Sequence, residues 1–251
     1  MDAGRLTDEL AVQGGLLVGA AARAGTAAAV PSCPDWRVAD LLRHVGEVHR
    51  WAAAVVATAA PEDPDSLTVL GQVPQDAGLA DWVADGHGVL VETLRVASPD
   101  LECWQFLRAS SPLEFWARRQ LHETSVHRMD AELAAGMALS PVSQEVAEDG
   151  IDELLTGFLP RSSSRLRSEQ PRSLLVAPED SPARWWVGIS QDRPVTVREE
   201  RAADAVLRGP VAQLYPGLWN RGPIEADDGL ARPVAGQGHR ALELTSARRA
   251  G

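Results

Sequence analysis

The sequence predicts an α+β protein in which a helical bundle is followed by a smaller α/β domain. Apolar residues recur at helical spacing through the first part of the chain. After residue 160 this spacing stops, and the polar stretch SSSRLRSEQ leads into short runs of β-forming residues. Helices first and strands later indicate two separate cores. We therefore predict domains at residues 1–160 and 161–251.

Four segments carry the apolar spacing of bundle helices: 5–24, 36–59, 79–97 and 111–136. The fourth has the clearest start, because Ser111 and Glu114 provide both partners of a capping box around a proline. A fifth helix is expected from Pro141 to just before Pro160. In the second domain we predict strands at 173–177, 185–189, 195–197 and 241–245, and a helix at 202–215.

Composition excludes several classes of function. The formal net charge is −11, so the chain lacks the basic footprint of a nucleic-acid-binding protein. No apolar run reaches the roughly 18 residues of a membrane span, and the acidic N-terminus does not resemble a secretory signal, so we expect a cytoplasmic protein without a membrane partner. Lysine is absent, which rules out Schiff-base chemistry. Cys33 and Cys103 are the only cysteines, and we expect them to be reduced.

The stretch LHETSVHR, residues 121–128, is the best candidate for chemistry. It begins like the HExxH zinc motif, but its second histidine comes five residues after the first, about 140° around a helix. Glu123 and His127 are instead four residues apart and differ by only about 40°. His44 lies beside the apolar stripe of the second helix and can supply a third ligand. Two alternatives remain. Glu123 and His127 can be a pair on a solvated helix face, and His44 can be a hydrogen-bonded core residue.

Three segments closely resemble the mycothiol-dependent maleylpyruvate isomerase family: CPDWRVADLLRHVGEVHRWA (33–52), RRQLHETSVHRMDAE (118–132) and DGIDELLTGFLPR (149–161). The resemblance implies a DinB-like four-helix bundle followed by a small α/β domain of the sterol-carrier-protein-like kind. It also implies that a divalent metal, zinc above all, is held by His44, Glu123 and His127. One departure is Arg37, which stands where such sequences usually have a threonine helix cap.

Two imidazoles and one carboxylate leave a coordination position open, as catalytic zinc sites do. The resemblance implies that mycothiol is the cosubstrate, in S-transfer to a small electrophile or in cis–trans isomerisation of a compound such as maleylpyruvate. Arg221 is our candidate catalytic residue, because an arginine fork suits a substrate carboxylate. The alternatives are a metal-dependent hydrolase and a non-enzymatic regulatory module in which Cys33 or His49 is the fourth metal ligand. We expect a monomer or a homodimer.

Overall fold

A computed structural model describes residues 1–63 and 72–223 of the chain. It divides into two compact units, Met1–Ser140 and Pro141–Gly251. The division lies about twenty residues before the boundary that the sequence predicts, and the packing of the fifth helix, described below, explains the difference. Of the helices in these described ranges, none has the length and apolar character to cross a membrane.

The first unit contains the four helices of the predicted bundle. They are α1 (Ala3–Ala24), α2 (Val38–Ala57), α3 (Leu79–Val96) and α4 (Pro112–Ala134). α1 packs along α4, and α2 packs along α3. α1, α2 and α3 each bury an apolar stripe, in which Leu10, Leu42 and Leu90 are buried. The predicted capping box holds in part, since the Ser111 hydroxyl accepts from the Glu114 backbone N–H at 3.1 Å.

α4 is the central helix of this unit. All of its residues from 119 to 132 are buried, including the charged ones. A helix enclosed on every side cannot show one apolar stripe and one polar face. Its polar side chains therefore need partners inside the bundle, and these partners build the candidate site.

A short antiparallel hairpin precedes α2 and is absent from the sequence prediction. β1 (Ala29–Val30) pairs with β2 (Cys33–Arg37), and the hairpin contacts both α2 and α4. Carbonyl oxygens of residues 28 and 26 accept from the first N–H groups of α2, at 2.9 and 3.0 Å. These bonds satisfy backbone N–H groups that a capping side chain normally accepts from. The helix therefore starts normally although position 37 is arginine and not threonine.

The second unit contains α5 (Gln144–Asp152), a π-helical turn (Glu153–Phe158) and a four-stranded sheet that is followed by α6 (Val211–Leu218). The strands are β3 (Arg172–Val176), β4 (Trp185–Ile189), β5 (Val195–Val197) and β6 (Ala205–Leu207), in the order β5-β4-β3-β6. β6 runs parallel to β3, and the other pairs are antiparallel. The predicted strand at 241–245 lies outside the described residues.

Two sequence predictions for this unit are wrong in detail. The fifth helix belongs to the second core, because Trp219 Nε1 donates to the Gly150 carbonyl at 3.0 Å and Trp185 Nε1 donates to Asp152 Oδ1 at 2.9 Å. The predicted helix 202–215 is a strand followed by a helix. Asp204 accepts from the Ser173 N–H and hydroxyl at 2.7 and 2.9 Å, which fixes the start of β6 beside β3.

Candidate metal centre

The structure brings together the three predicted metal ligands. His44 projects from α2, and Glu123 and His127 project from adjacent turns of α4. His44 Nε2 lies 2.9 Å from Glu123 Oε1, and His127 Nε2 lies 3.2 Å from the same oxygen. One ligand atom from each residue lies within 4.8 Å of the other two. The i, i+4 spacing on α4 thus places the carboxylate and the imidazole on the side that faces α2.

Burial excludes the reading of Glu123 and His127 as a solvated pair. Glu123 is 1% exposed and His127 is fully buried. His44 retains 16% side-chain exposure, which makes it the ligand nearest to solvent. The group is therefore enclosed by the bundle on the α4 side and open towards solvent near His44.

The neighbouring candidates take no part in this group. His122 is buried on another face of α4, as the helix geometry predicts. His49 Nε2 makes a hydrogen bond of 2.9 Å with the Thr124 hydroxyl. Cys33 Sγ lies 3.9 Å from Asp130 Oδ2. Within residues 1–63 and 72–223, neither Cys33 nor His49 adds a fourth ligand atom.

A second layer of residues surrounds the ligands, and the sequence analysis assigned no role to it. His127 Nδ1 lies 2.8 Å from Asp130 Oδ2, and Asp130 Oδ1 accepts a short hydrogen bond from the Ser32 hydroxyl. Arg119 Nη2 donates to Glu123 Oε2 at 3.3 Å. The Trp36 ring lies 5.2 Å from the His44 ring and 6.0 Å from the His127 ring, between centroids. The sequence signal for Asp130 is its position three residues after His127, on the same face of α4.

The site perturbs the titration of both α4 ligands. Burial alone raises the pKa of Glu123, but its close contacts with His127 and His44 and the nearby charge of Arg119 hold it well below its usual range. Burial alone lowers the pKa of His127, but its contacts with Asp130 and Glu123 raise it to about 9. Without a metal, the Glu123 carboxylate is therefore ionised and the His127 imidazole is positively charged at neutral pH.

The donor set fits a divalent metal ion. His127 Nε2 is buried and makes no hydrogen bond of acceptable geometry, although Glu123 Oε1 is close. A buried nitrogen without a hydrogen bond is costly, and a metal ion in place of the proton would satisfy it. Two imidazole nitrogens and one carboxylate oxygen are ligands that zinc accepts in catalytic sites.

Arg221, the predicted catalytic residue, lies in the second unit just after α6. It is 4% exposed, and its Nη1 donates to the Trp219 carbonyl at 2.6 Å. Its backbone N–H donates to the Pro216 carbonyl at 2.7 Å. These contacts fix its position at the end of α6, and its catalytic role stays a prediction.

Fold and site together define a two-domain protein with a candidate metal centre inside an N-terminal four-helix bundle. Family models for the mycothiol maleylpyruvate isomerase N-terminal domain and for the C-terminal domain of the same proteins match residues 7–132 and 145–245. The chain belongs to the mycothiol maleylpyruvate isomerase family, as the sequence motifs indicate.

Solved structures agree with this fold. The crystal structure of the mycothiol-dependent maleylpyruvate isomerase matches with a TM-score of 0.64 and 12% identity. A histidine-to-alanine mutant of that enzyme matches with a TM-score of 0.65 and 11% identity. Both matches cover 93% of this chain and 96% of the other. A search of curated proteins finds no match.

Proposed function

We propose that this protein is a divalent-metal-dependent enzyme that uses mycothiol to transfer sulfur to, or isomerise, a small electrophilic substrate. The observation that carries the proposal is the group of His44, Glu123 and His127, which offers three ligand atoms, one fewer than a closed structural zinc site usually has. The family membership supplies the thiol, since its solved members are mycothiol-dependent enzymes by name. Zinc is the metal that this donor set favours.

The metal contributes one property to this chemistry: a bound zinc ion lowers the pKa of a coordinated thiol or water so that it is a nucleophile near neutral pH. The chain supplies the rest. Glu123 and His127 would hold the ion from the buried side, and His44 would hold it from the side nearer to solvent. The Trp36 ring lies beside both imidazole rings and places apolar surface next to them.

Isomerisation requires only reversible addition of the thiol. Addition to a conjugated double bond leaves a single bond about which the substrate can rotate, and elimination restores the double bond and the thiol. In S-transfer the same nucleophile displaces a leaving group. Substrates of the maleylpyruvate type carry carboxylates, and Arg221 stays our candidate for their recognition because an arginine side chain suits a carboxylate.

The test measures metal first and thiol second. Purified protein is expected to carry about one zinc per chain by elemental analysis. Mycothiol is expected to bind the metallated protein and release a proton, which calorimetry in buffers of different ionisation enthalpy detects. The His127→Ala variant is expected to lose most of its metal affinity and the response to thiol. The matched control is His122→Ala, which removes a buried histidine from the same helix and is expected to keep both.

Two results contradict the proposal. If the metal-loaded protein does not bind mycothiol at millimolar concentration, it is not a thiol-dependent enzyme. Turnover of an ester or amide substrate by that protein would then favour the hydrolase. A protein that binds no zinc, cobalt or nickel has no metal centre at His44, Glu123 and His127.

A further inference from the structure

Asp130 meets His127 at the edge of the ring that faces away from the other ligands. Its Oδ2 lies 2.8 Å from His127 Nδ1, whereas His127 Nε2 faces Glu123. Asp130 is fully buried, and its other oxygen accepts from the Ser32 hydroxyl. We propose that Asp130, oriented by Ser32, is a positioning residue that presents Nε2 of His127 to a divalent cation. This inference rests on the proposed metal centre.

The chemistry of imidazole gives Asp130 this role. A neutral histidine carries its proton on one ring nitrogen and a lone pair on the other, and only the nitrogen with the lone pair binds a metal. A carboxylate at Nδ1 accepts a hydrogen bond and so keeps the proton there. Nε2 is then the ligand atom, aimed at the position between His44 and Glu123. Histidine ligands commonly have such a partner, whose loss weakens metal binding about 10- to 100-fold.

The carboxylate itself is held from the hairpin. Ser32 lies in the turn between β1 and β2, and Cys33 begins β2. The Ser32 hydroxyl contacts Asp130 Oδ1, and Cys33 Sγ lies 3.9 Å from Oδ2, on the oxygen that His127 uses. A buried carboxylate with both oxygens in use has little freedom to rotate. The hairpin therefore fixes the direction from which Asp130 meets the imidazole.

Charge supports the same assignment. Two buried carboxylates, Glu123 and Asp130, face His127 from opposite edges of its ring. A divalent ion at Nε2 adds positive charge beside both carboxylates, so Asp130 stabilises the ion through the ring as well as orienting the ligand.

The experiment compares Co²⁺ and Zn²⁺ affinity in full-length variants by competition with a chelator. Asp130→Asn keeps the shape of the side chain, but its amide can turn and donate to Nδ1, which places the imidazole proton on Nε2. We expect about 10- to 100-fold weaker binding and a changed visible spectrum of bound Co²⁺. Ser32→Ala removes one hydrogen bond, and we expect about two- to tenfold weaker binding.

The matched control is Asp40→Asn. Asp40 accepts from the Arg37 N–H at 2.9 Å and joins the same hairpin to α2, without contact to His127. If Asp130 acts only by holding the hairpin in place, the two Asn variants weaken metal binding alike. We expect Asp40→Asn to leave the affinity and the Co²⁺ spectrum unchanged.

A double-mutant cycle shows whether Asp130 acts through His127. In a His44→Ala background, Asp130→Asn is expected to cause its full loss of affinity. In a His127→Ala background it is expected to cause none. An equal loss in both backgrounds, or an Asp130→Asn variant with wild-type affinity, overturns the positioning role while the metal centre stands. A wild-type protein that binds neither ion overturns both.

Discussion

Replacement of Glu123 by glutamine tests the metal centre most directly. The carboxylate lies close to three groups: His44 Nε2 at 2.9 Å, His127 Nε2 at 3.2 Å and Arg119 Nη2 at 3.3 Å. Glutamine keeps the shape and one acceptor oxygen but removes the charge, and its NH₂ group faces groups that are themselves donors. The substitution therefore changes the electrostatics of the site far more than its packing.

The expected losses follow from these contacts. A hydrogen bond to a charged group contributes about 1.5–3 kcal/mol, and removal of one partner of a buried ion pair costs about 3–5 kcal/mol. We expect the apoprotein of Glu123→Gln to lose about 3 kcal/mol of unfolding free energy. Zinc affinity is expected to fall about 100-fold, since about 1.4 kcal/mol corresponds to a factor of ten and the loss of the anionic ligand costs about 3 kcal/mol.

α4 offers a matched control in Glu132→Gln. Arg128 Nη1 lies 2.6 Å from Glu132 Oε2, so this is a second buried i, i+4 arginine–glutamate pair on the same helix, away from the ligands. We expect it to lower the unfolding free energy by a similar amount and to leave zinc affinity unchanged. Urea denaturation in chelator measures the first quantity, and competition titration measures the second. If both variants lose zinc equally, the effect is one of general stability and our assignment of Glu123 is wrong.

Three further predictions concern packing, pH and domain structure. Gly46→Ala is expected to lower the unfolding free energy by about 1–3 kcal/mol in thermal denaturation, because the added Cβ would lie 2.1 Å from the Trp82 ring. Gly15→Ala has open space around it and is expected to leave the unfolding free energy unreduced. Burial holds the pKa of His49 and His87 below 6.5, so the unfolded chain takes up protons first as the pH falls below 6.5. Stability in chelator is expected to drop there by up to about 1.4 kcal/mol per pH unit for each histidine, and a His87→Gln variant with an unchanged slope contradicts this. A fragment of residues 1–140 keeps the Ser140 contacts with Arg128 and Glu132. We expect it to remain helical by circular dichroism and to bind metal in a zinc titration. An unfolded fragment would contradict this and show that the first unit needs the second to fold.

The sequence predicted that these side chains lie together because the relevant rule is local, and their role as metal ligands stays a prediction. Residues four apart on a helix share a face, so Glu123 and His127 had to lie together if the segment was helical. His122 was excluded by the same rule. Pairing this face with His44 required the packing of α2 against α4, which the family resemblance supplied and periodicity alone did not.

The misses have physical causes. β1 and β2 are short and contain Pro34, which weakens any strand signal. Residues 202–207 are rich in alanine, a strong helix former, yet β6 gains hydrogen bonds along β3. The domain boundary was placed at a polar loop, whereas α5 belongs to the core that its aromatic neighbours build. In each case long-range packing overrides a local preference.

The hairpin before α2 contacts the proposed metal centre without contributing a ligand to it. Within five residues it supplies Ser32, which reaches one edge of His127 through Asp130, and Trp36, which lies over the ring. Substitutions in this segment are therefore expected to alter the polarity and the hydrogen bonding around the proposed metal centre without changing a ligand. Exchange of residues 29–37 with those of another family member would test how far these nine residues set metal affinity.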